Sequence, residues 1–138
     1  MGVRTYEEAD HPAVVDLWER AGRDVVPLPE VRTVLAHTPG LLLVDEGDDG
    51  LRGVVLGTYD GRRGWIWRLA VHPQHRRQGV ATALVREIEA RFARLGVPRI
   101  NLLVLPQDTG ALAFWAEMGY PAVPDVLCSK VVGPPARG

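Results

Sequence analysis

Two arginines followed closely by a glycine form the stretch of the chain best suited to bind an anion. Arg76, Arg77 and Gly79 stand in the run Arg-Arg-Gln-Gly-Val-Ala, between an apolar segment typical of a strand and a segment with helical periodicity. The first N–H groups of a helix lack intrahelical partners and carry the positive end of the helix dipole. The arginines add positive charge, and a glycine without Cβ lets an anion reach the backbone. The spacing predicts a pyrophosphate-binding turn, while the six residues alone fit a plain strand-to-helix turn equally well.

The elements that must position this turn follow from the apolar pattern. An apolar run over Trp65–Val71 predicts the strand before the turn. Apolar positions 81, 84, 85, 88, 92 and 95 fall on one face of a helix from about Gln78 to Leu95, which Gly96 ends. A second strand over Pro98–Leu105 completes a strand–helix–strand unit, so we expect it to lie parallel to the first.

Proline positions, turn residues and alternating segments divide the rest of the chain. Before the turn we expect a strand, two helices and a β-hairpin, at Val3–Tyr6, Asp10–Ala21, Glu30–His37, Leu41–Val44 and Leu51–Tyr59. After it we expect a helix capped by Asp108, a final strand and a flexible tail, at Thr109–Met118, Val126–Val132 and 134–138. Residues 1–133 are predicted to form a single domain.

The composition narrows the possible functions. The chain has 138 residues, 46% of them hydrophobic, and a formal net charge of −1, which gives no overall basic field for nucleic acid or a membrane surface. Its one cysteine, Cys128, cannot form an internal disulfide and is expected to be buried in an apolar strand, and the four histidines are too scattered to predict a metal site. No signal sequence or membrane-spanning run is visible, so we expect a cytoplasmic protein without metal, nucleic-acid or membrane partners.

Two segments resemble motifs of the GNAT superfamily of N-acetyltransferases. The first segment resembles the family's acetyl-CoA-binding motif, Arg/Gln-x-x-Gly-x-Gly/Ala after an apolar strand. It consists of Leu69-Ala70-Val71 followed by Arg76-Arg77-Gln78-Gly79-Val80-Ala81. The second segment resembles the family's C-terminal signature and reads Val104-x-x-x-Asp108-x-x-Ala111-x-x-Phe114-Trp115-x-x-x-Gly119-Tyr120. The signature usually has Asn and Tyr where Asp108 and Trp115 stand here. Shorter phrases are similar to the small bacterial YpeA-type acetyltransferases, among them Tyr59-Asp60-Gly61-x-Arg63-Gly64.

The resemblance implies both a fold and an activity. The fold would be α/β (α+β), with a mixed central sheet of about six to seven strands, a splayed parallel pair and about four helices. The activity would be direct attack of a primary amine, either a small amine or a protein N-terminus or lysine, on bound acetyl-CoA. A homodimer is a further possibility by fold analogy. The residues implied in acetyl-CoA binding are Leu69, Ala70, Val71, Arg76, Arg77, Gln78, Gly79, Val80, Ala81, Thr82, Asp108, Ala111 and Trp115.

The groups that would move protons are not fixed by the sequence. Trp115 stands where the family has a phenol, and an indole N–H is not a usable acid, so Trp115 is either a changed catalytic position or core packing. No carboxylate occurs at 102–104, and the remaining candidates at strand ends are Glu46, Tyr59 and Asp60. Two alternatives therefore stay open. One is a catalytically weak acyl-CoA-binding module. The other is a nucleotide-binding domain, although this sequence lacks the glycine run or Lys-Ser/Thr pair expected of one.

Overall fold

Five strands form one mixed sheet whose spatial order follows the sequence. The computed structural model describes residues 2–134. The first four strands pair antiparallel with their neighbours, and the fourth pairs parallel with the fifth. The strands are β1 (Gly2–Thr5), β2 (Leu42–Gly47), β3 (Gly50–Tyr59), β4 (Gly64–Val71) and β5 (Ile100–Leu102).

Four α-helices cover the two faces of this sheet, so the core has two halves. α1 and α2 pack on one face, in a cluster that contains the fully buried Trp18, and α3 and α4 pack on the other face around Phe92. Short 3₁₀ turns at Glu8–Asp10 and Pro73–His75 precede α1 and α3. The helices are α1 (His11–Arg20), α2 (Leu28–His37), α3 (Val80–Arg94) and α4 (Thr109–Glu117).

α3 lies close to the sheet because the strand residues beneath it are glycines. A Cβ added at Gly57 would lie 2.9 Å from Cδ1 of Ile88, and one added at Gly64 would lie 2.8 Å from Cε1 of Phe92. Both distances are shorter than packed carbon atoms tolerate, so a larger residue at either position would push the helix away. At the N-terminus of α3, a Cβ added at Gly53 would lie 2.8 Å from Cγ1 of Val80, so the close approach holds that end of the helix against the sheet as well.

Most predicted elements are confirmed, with ends shifted by a few residues. Gly47 pairs with Gly50 across a two-residue turn, as the hairpin prediction requires. The helix after the arginine-containing turn begins at Val80 rather than Gln78 and ends before Gly96, whose φ is +76°. A mixed sheet with one parallel pair and four helices is confirmed.

The predicted final strand is wrong. Residues 126–132 form no strand within the described chain and all of them are exposed, so the sheet has five strands rather than about six or seven. Cys128 is consequently exposed and not a buried strand residue. A strand needs a partner edge as well as β-favouring side chains, and local apolar pattern does not supply the edge. Of the predicted tail, Pro134 is exposed, and 135–138 lie outside the described residues.

Candidate active site

β4 contains a β-bulge next to the predicted acetyl-CoA motif. Leu56 pairs with Trp67 and Val54 pairs with Ala70, so that two residues of β4 lie opposite one residue of β3. The first of the two, Arg68, has φ +52°, an uncommon conformation for a residue with a side chain. The extra residue shifts the alternation of β4, so Trp67 and Ala70 both pack on the α1 face.

Two contacts from outside the sheet hold the bulge. The indole N–H of Trp18 donates a 3.1 Å hydrogen bond to the main-chain carbonyl of Arg68. The Nε of Arg68 in turn donates to the main-chain carbonyl of Asp24, also at 3.1 Å. A backbone strained at one residue persists only where its surroundings fix it, and here α1 and the loop that follows it do so.

β4 and β5 separate immediately after their short parallel pairing. Their pairing register ends at Ile66 with Leu102, so the β5-facing edge of β4 over residues 67–71 has no strand partner within the described chain, while its other edge stays paired with β3. A cavity of about 250 Å³, here called the β4–β5 cavity, opens at this point. Its lining combines apolar side chains with two guanidinium groups and consists of Arg23, Ile66, Trp67, Arg68, Leu69, Leu102, Leu103 and Trp115.

The turn between β4 and α3 is shaped by its own hydrogen bonds. His72 accepts from the backbone N–H of Gln74 at 3.1 Å, and its main-chain carbonyl accepts from the N–H of His75 at 2.8 Å. The backbone then takes positive φ at Arg77, +62°, and at Gly79, +79°. A Cβ added at Gly79 would meet nothing within 4 Å, so the space in front of the first turn of α3 is open. The Arg76 and Arg77 side chains are exposed and form no ion pair with the described residues.

α4 brings Trp115 to the wall of the β4–β5 cavity. The Oδ1 of Asp108 accepts from the N–H of Ala111 at 3.0 Å, so this carboxylate caps its own helix. The Trp115 ring, 8% exposed, meets the ring of Tyr120 edge to face at 5.4 Å between centroids. The Tyr120 hydroxyl donates to Oε2 of Glu89 at 2.6 Å, and burial together with this carboxylate raises the pKa of Tyr120. Tyr120 therefore ties the end of α4 to α3 as a neutral phenol.

A second cavity lies on the α2 side of the same bulge. This α2 cavity has a volume of about 270 Å³ and shares Trp67 and Arg68 with the first. Its other lining residues are Val26, Glu30, Val34, Leu56 and Thr58. The Trp67 ring is held in place because its N–H donates to the Thr58 hydroxyl at 2.8 Å and because it stacks on Trp65 at 5.6 Å. Glu30 is exposed at the rim, so its carboxylate faces solvent and the cavity mouth.

Comparison with known proteins identifies this arrangement. The sequence model described as the acetyltransferase (GNAT) family matches residues 5–120. The chain belongs to the GNAT acetyltransferase family. An acetyltransferase of Pectobacterium atrosepticum is 33% identical to it over 135 residues, which cover 94% of each chain.

Solved structures of GNAT enzymes share the fold. The apo aminoglycoside antibiotic 6'-N-acetyltransferase of Acinetobacter haemolyticus superposes with a TM-score of 0.78 at 20% identity, covering 96% of this chain and 100% of that one. AAC(6')-Iy, solved in complex with the bisubstrate analogue CoA-S-monomethyl-acetylneamine, superposes with a TM-score of 0.77 at 12% identity. The superposition covers 95% of this chain and 97% of that one. At these identities the likeness shows the fold alone.

As a GNAT acetyltransferase the chain uses acetyl-CoA as its co-substrate, and the residues around the bulge fit that molecule. The open space before Gly79, the first N–H groups of α3 and two unpaired arginines suit a pyrophosphate. The unpartnered edge of β4 offers backbone groups to an amide-containing arm, and the β4–β5 cavity is large enough for a thioester. The expected cofactor-binding residues from Leu69 to Thr82 run from the end of β4 through the turn into α3, and Trp115 of α4 lines the β4–β5 cavity with Leu69. Asp108, the N-cap of α4, and Ala111 line neither cavity.

The three other side chains that the sequence offered for proton transfer lie outside both cavities. Glu46, near the end of β2, pairs with Arg4 of β1 at 2.9 Å and lines neither cavity. Tyr59 ends β3 opposite Gly64, and its side chain packs among the α3 cluster. The Asp60 carboxylate accepts from the backbone N–H groups of the two following arginines, at 2.8 Å each, and these bonds lower its pKa.

Three residues of the site were missed in the sequence. The sequence predicts Glu30 only as part of a short helix after two prolines, and the packing of α2 in the cluster with Leu56 and Trp67 brings it to a cavity. Arg68 gives no local signal of a bulge, since arginine is not a residue that favours positive φ. Arg23 lies in a breaker-rich loop that the sequence could not position.

Residues 2–134 contain neither a membrane-spanning helix nor a cluster of metal-binding side chains. Within that range no helix combines the length and apolar character needed to cross a membrane. The same residues contain no cluster of three or more His, Cys, Asp or Glu side chains placed to hold a metal ion.

Proposed function

We propose that this chain transfers the acetyl group of acetyl-CoA to a primary amine that enters through the α2 cavity, in a complex holding both substrates. The observation that carries this proposal is that two cavities meet at Trp67 and Arg68, the first residues after β4 and β5 separate. Acetyl-CoA supplies an acetyl group activated as a thioester. Two cavities that adjoin at the same two residues suit two substrates that must react there, and holding both in place lowers the entropic barrier.

The charges lining the cavities support this division of roles. Arg23 and Arg68 line the β4–β5 cavity and favour the negative charge that develops on a thioester oxygen or a departing thiolate. We assign donation to that oxygen to backbone N–H groups on the β5-facing edge of β4, which has no strand partner after Ile66 in the described chain. Arg68 also lines the α2 cavity, where Glu30, the only carboxylate among the described residues that line either cavity, offsets its charge and favours an ammonium at the rim.

The lining of the α2 cavity indicates the kind of amine. Val26, Val34, Leu56 and the Trp67 ring surround it, with a hydroxyl from Thr58 already bonded to Trp67. A cation beside an indole face and a carboxylate is held by both, and the apolar walls suit an aliphatic or aromatic neighbour of the amine. We therefore assign the acceptor as a primary amine on an apolar group, either a small molecule or the N-terminus or lysine of a protein.

The test measures CoA release by chromatography, which avoids reagents that react with Cys128. Acetyl-CoA is combined with apolar primary amines, short peptides with a free N-terminus, and a lysine side-chain analogue. The corresponding alcohols serve as controls without an amine. Transfer to apolar primary amines and not to alcohols is expected. Acetyl-CoA binding without transfer to any amine would contradict the proposal and support the acyl-CoA-binding alternative, which Trp115 in place of a phenol favours.

The variant Glu30→Gln tests the acceptor site separately. An exposed ion pair contributes about 0.2–1 kcal/mol, so KM for the amine is expected to rise roughly 1.4- to fivefold while KM for acetyl-CoA is unchanged. Glu117→Gln is the matched control, because Glu117 is exposed on α4 and lines neither cavity. An unchanged KM for every accepted amine would remove Glu30 from the acceptor site.

A further inference from the structure

Two guanidinium groups line the β4–β5 cavity, and only one of them has a carboxylate beside it. Arg68 also borders the α2 cavity, where Glu30 offsets its charge. Arg23 lines the β4–β5 cavity alone, and the described residues around that cavity include no acidic side chain. The Arg23 guanidinium forms no ion pair with residues 2–134. Its positive charge is therefore available to a ligand.

The backbone that carries Arg23 is held on both sides. The N–H of Arg23 donates to the main-chain carbonyl of Trp18 at 2.8 Å, just after the end of α1. The carbonyl of the next residue, Asp24, accepts from Nε of Arg68 at 3.1 Å. These two hydrogen bonds bring the side chains of Arg23 and Arg68 to the same cavity. An anion that enters it meets donors on a backbone already in position, which lowers the cost of ordering the site.

A simple ammonium is poorly matched to the charges of the two cavities. Arg23 and Arg68 place two positive charges against the single carboxylate of Glu30, which is exposed at the rim. A cationic amine is therefore repelled as it approaches the residues that the cavities share. A carboxylate on the same acceptor offsets this repulsion. It also accepts charge-assisted hydrogen bonds from Arg23, whose planar fork fits both carboxylate oxygens.

We propose that Arg23 binds a carboxylate of the acceptor, and that the acceptor is an α-amino acid with an apolar side chain. This inference rests on the proposed function, in which the amine reacts beside Trp67 and Arg68. An α-amino acid carries its amine, carboxylate and side chain on one carbon. With the amine beside Arg68, the side chain occupies the α2 cavity among Val26 and Leu56, and the carboxylate lies in the β4–β5 cavity at Arg23.

The reaction of such an acceptor yields an N-acetylamino acid and CoA. The neutral amine nitrogen forms the new bond to the acetyl carbon, the bond from that carbon to sulfur breaks, and the nitrogen loses a proton to solvent while the sulfur leaves as a thiolate. A protein N-terminus carries an uncharged amide where the amino acid has its carboxylate, and a lysine side chain carries a methylene there. Neither of them offers Arg23 an anion, so the free amino acid is the favoured acceptor.

Three amines that share a phenyl group separate the carboxylate from the rest of the acceptor. They are phenylalanine, phenylalaninamide and 2-phenylethylamine, and kcat/KM for acetyl transfer is measured with the native protein, Arg23→Gln and Arg20→Gln. Arg20→Gln is the matched control, because it removes the same charge from the end of α1, where Arg20 pairs with Asp16 and lines neither cavity. The three amines differ in their own pKa, so each is compared between variant and native protein.

Arg23→Gln is expected to lower kcat/KM for phenylalanine about tenfold, as the loss of a charge-assisted hydrogen bond does, and to change it by less than about twofold for the other two amines. Arg23→Lys keeps the charge without the planar fork, so its kcat/KM for phenylalanine is expected to lie between those of Arg23→Gln and the native protein. Arg20→Gln is expected to match the native protein for all three amines.

An equal change for all three amines in Arg23→Gln, or no change for any, would overturn the proposal, and an equal loss would assign Arg23 to acetyl-CoA instead. Transfer to 2-phenylethylamine without transfer to phenylalanine would also overturn it. In these cases the proposed acetyl transfer to an amine would still stand. Transfer to none of the three amines would overturn the proposed function together with this inference.

Discussion

The indole N–H of Trp18 on α1 hydrogen-bonds, at 3.1 Å, the main-chain carbonyl of Arg68 in the bulge of β4. Trp18 is fully buried, so this bond replaces the water that would otherwise satisfy the carbonyl. Fifty positions separate the two residues in the chain, yet their contact fixes the point where both cavities meet. The docking of α1 thus determines the geometry of the active site as well as the stability of the core.

Trp18→Phe is expected to destabilise the protein by about 2–4 kcal/mol. The change leaves the Arg68 carbonyl unpaired in the core, which costs about 1–3 kcal/mol, and it removes buried volume besides. Urea unfolding measures the loss, and kcat/KM for acetyl transfer is expected to fall further than the unfolded fraction explains. Trp65→Phe is the control, because Trp65 is only half-buried and its indole N–H has no partner in the described chain. Equal losses in the two variants would contradict this role of Trp18.

Arg76→Ala/Arg77→Ala is expected to weaken acetyl-CoA binding about tenfold, a loss of about 1.4 kcal/mol that reflects lost attraction to phosphates. Calorimetric titration measures this effect, which shrinks as salt rises because exposed charges are screened. An acetyl thioester of pantetheine, which lacks the pyrophosphate, is expected to bind both proteins equally. The control Arg62→Ala/Arg63→Ala removes the same charge from the β3–β4 turn. Equal weakening for both ligands would place the arginines elsewhere than at the phosphates.

Local signals predict the parts of this protein that are determined locally. Asp48 and Asp49 define a hairpin, and the glycine at 96 ends α3, because turn and cap conformations depend on a few adjacent residues. The bulge at Arg68 depends on Trp18 from another element, so the residues next to Arg68 in the sequence do not predict it. Residues 126–132 show the converse case, since they favour a strand and no strand edge within the described part of the chain pairs with them.

His11 is expected to make the stability of the protein depend on pH below neutrality. Its burial near Tyr6 and Trp18 lowers the pKa of the imidazole from its ordinary value of 6.5, and nearby Glu8 opposes this only in part. The unfolded chain then binds more protons than the folded one just below pH 6.5, so stability is fully present above that pH and falls as pH drops through the folded pKa. The Asp10 carboxyl, whose pKa Arg4 holds below its usual range, contributes only at more acidic pH.

Urea unfolding at pH 7.5, 6.5 and 5.5 measures this dependence in the native protein and in His11→Gln. The variant is expected to have a flatter profile over the interval, because glutamine does not titrate. His37→Gln, at an exposed position on α2, is expected to keep the native profile. Identical slopes in the native protein and His11→Gln would assign the pH dependence to other groups.

Trp115→Tyr is expected to raise kcat for acetyl transfer severalfold near pH 7. Trp115 lines the β4–β5 cavity beside Leu103, where a phenol can donate a proton to a departing thiolate and an indole cannot. A thiol has a pKa of about 8.5, so proton donation matters most at lower pH and the gain is expected to vanish as pH approaches 9. Trp115→Phe keeps an aromatic ring on the Tyr120 edge without an acid, and therefore separates the chemical effect from repacking. The same change in kcat for both variants, or a gain independent of pH, would show that Trp115 acts by packing alone.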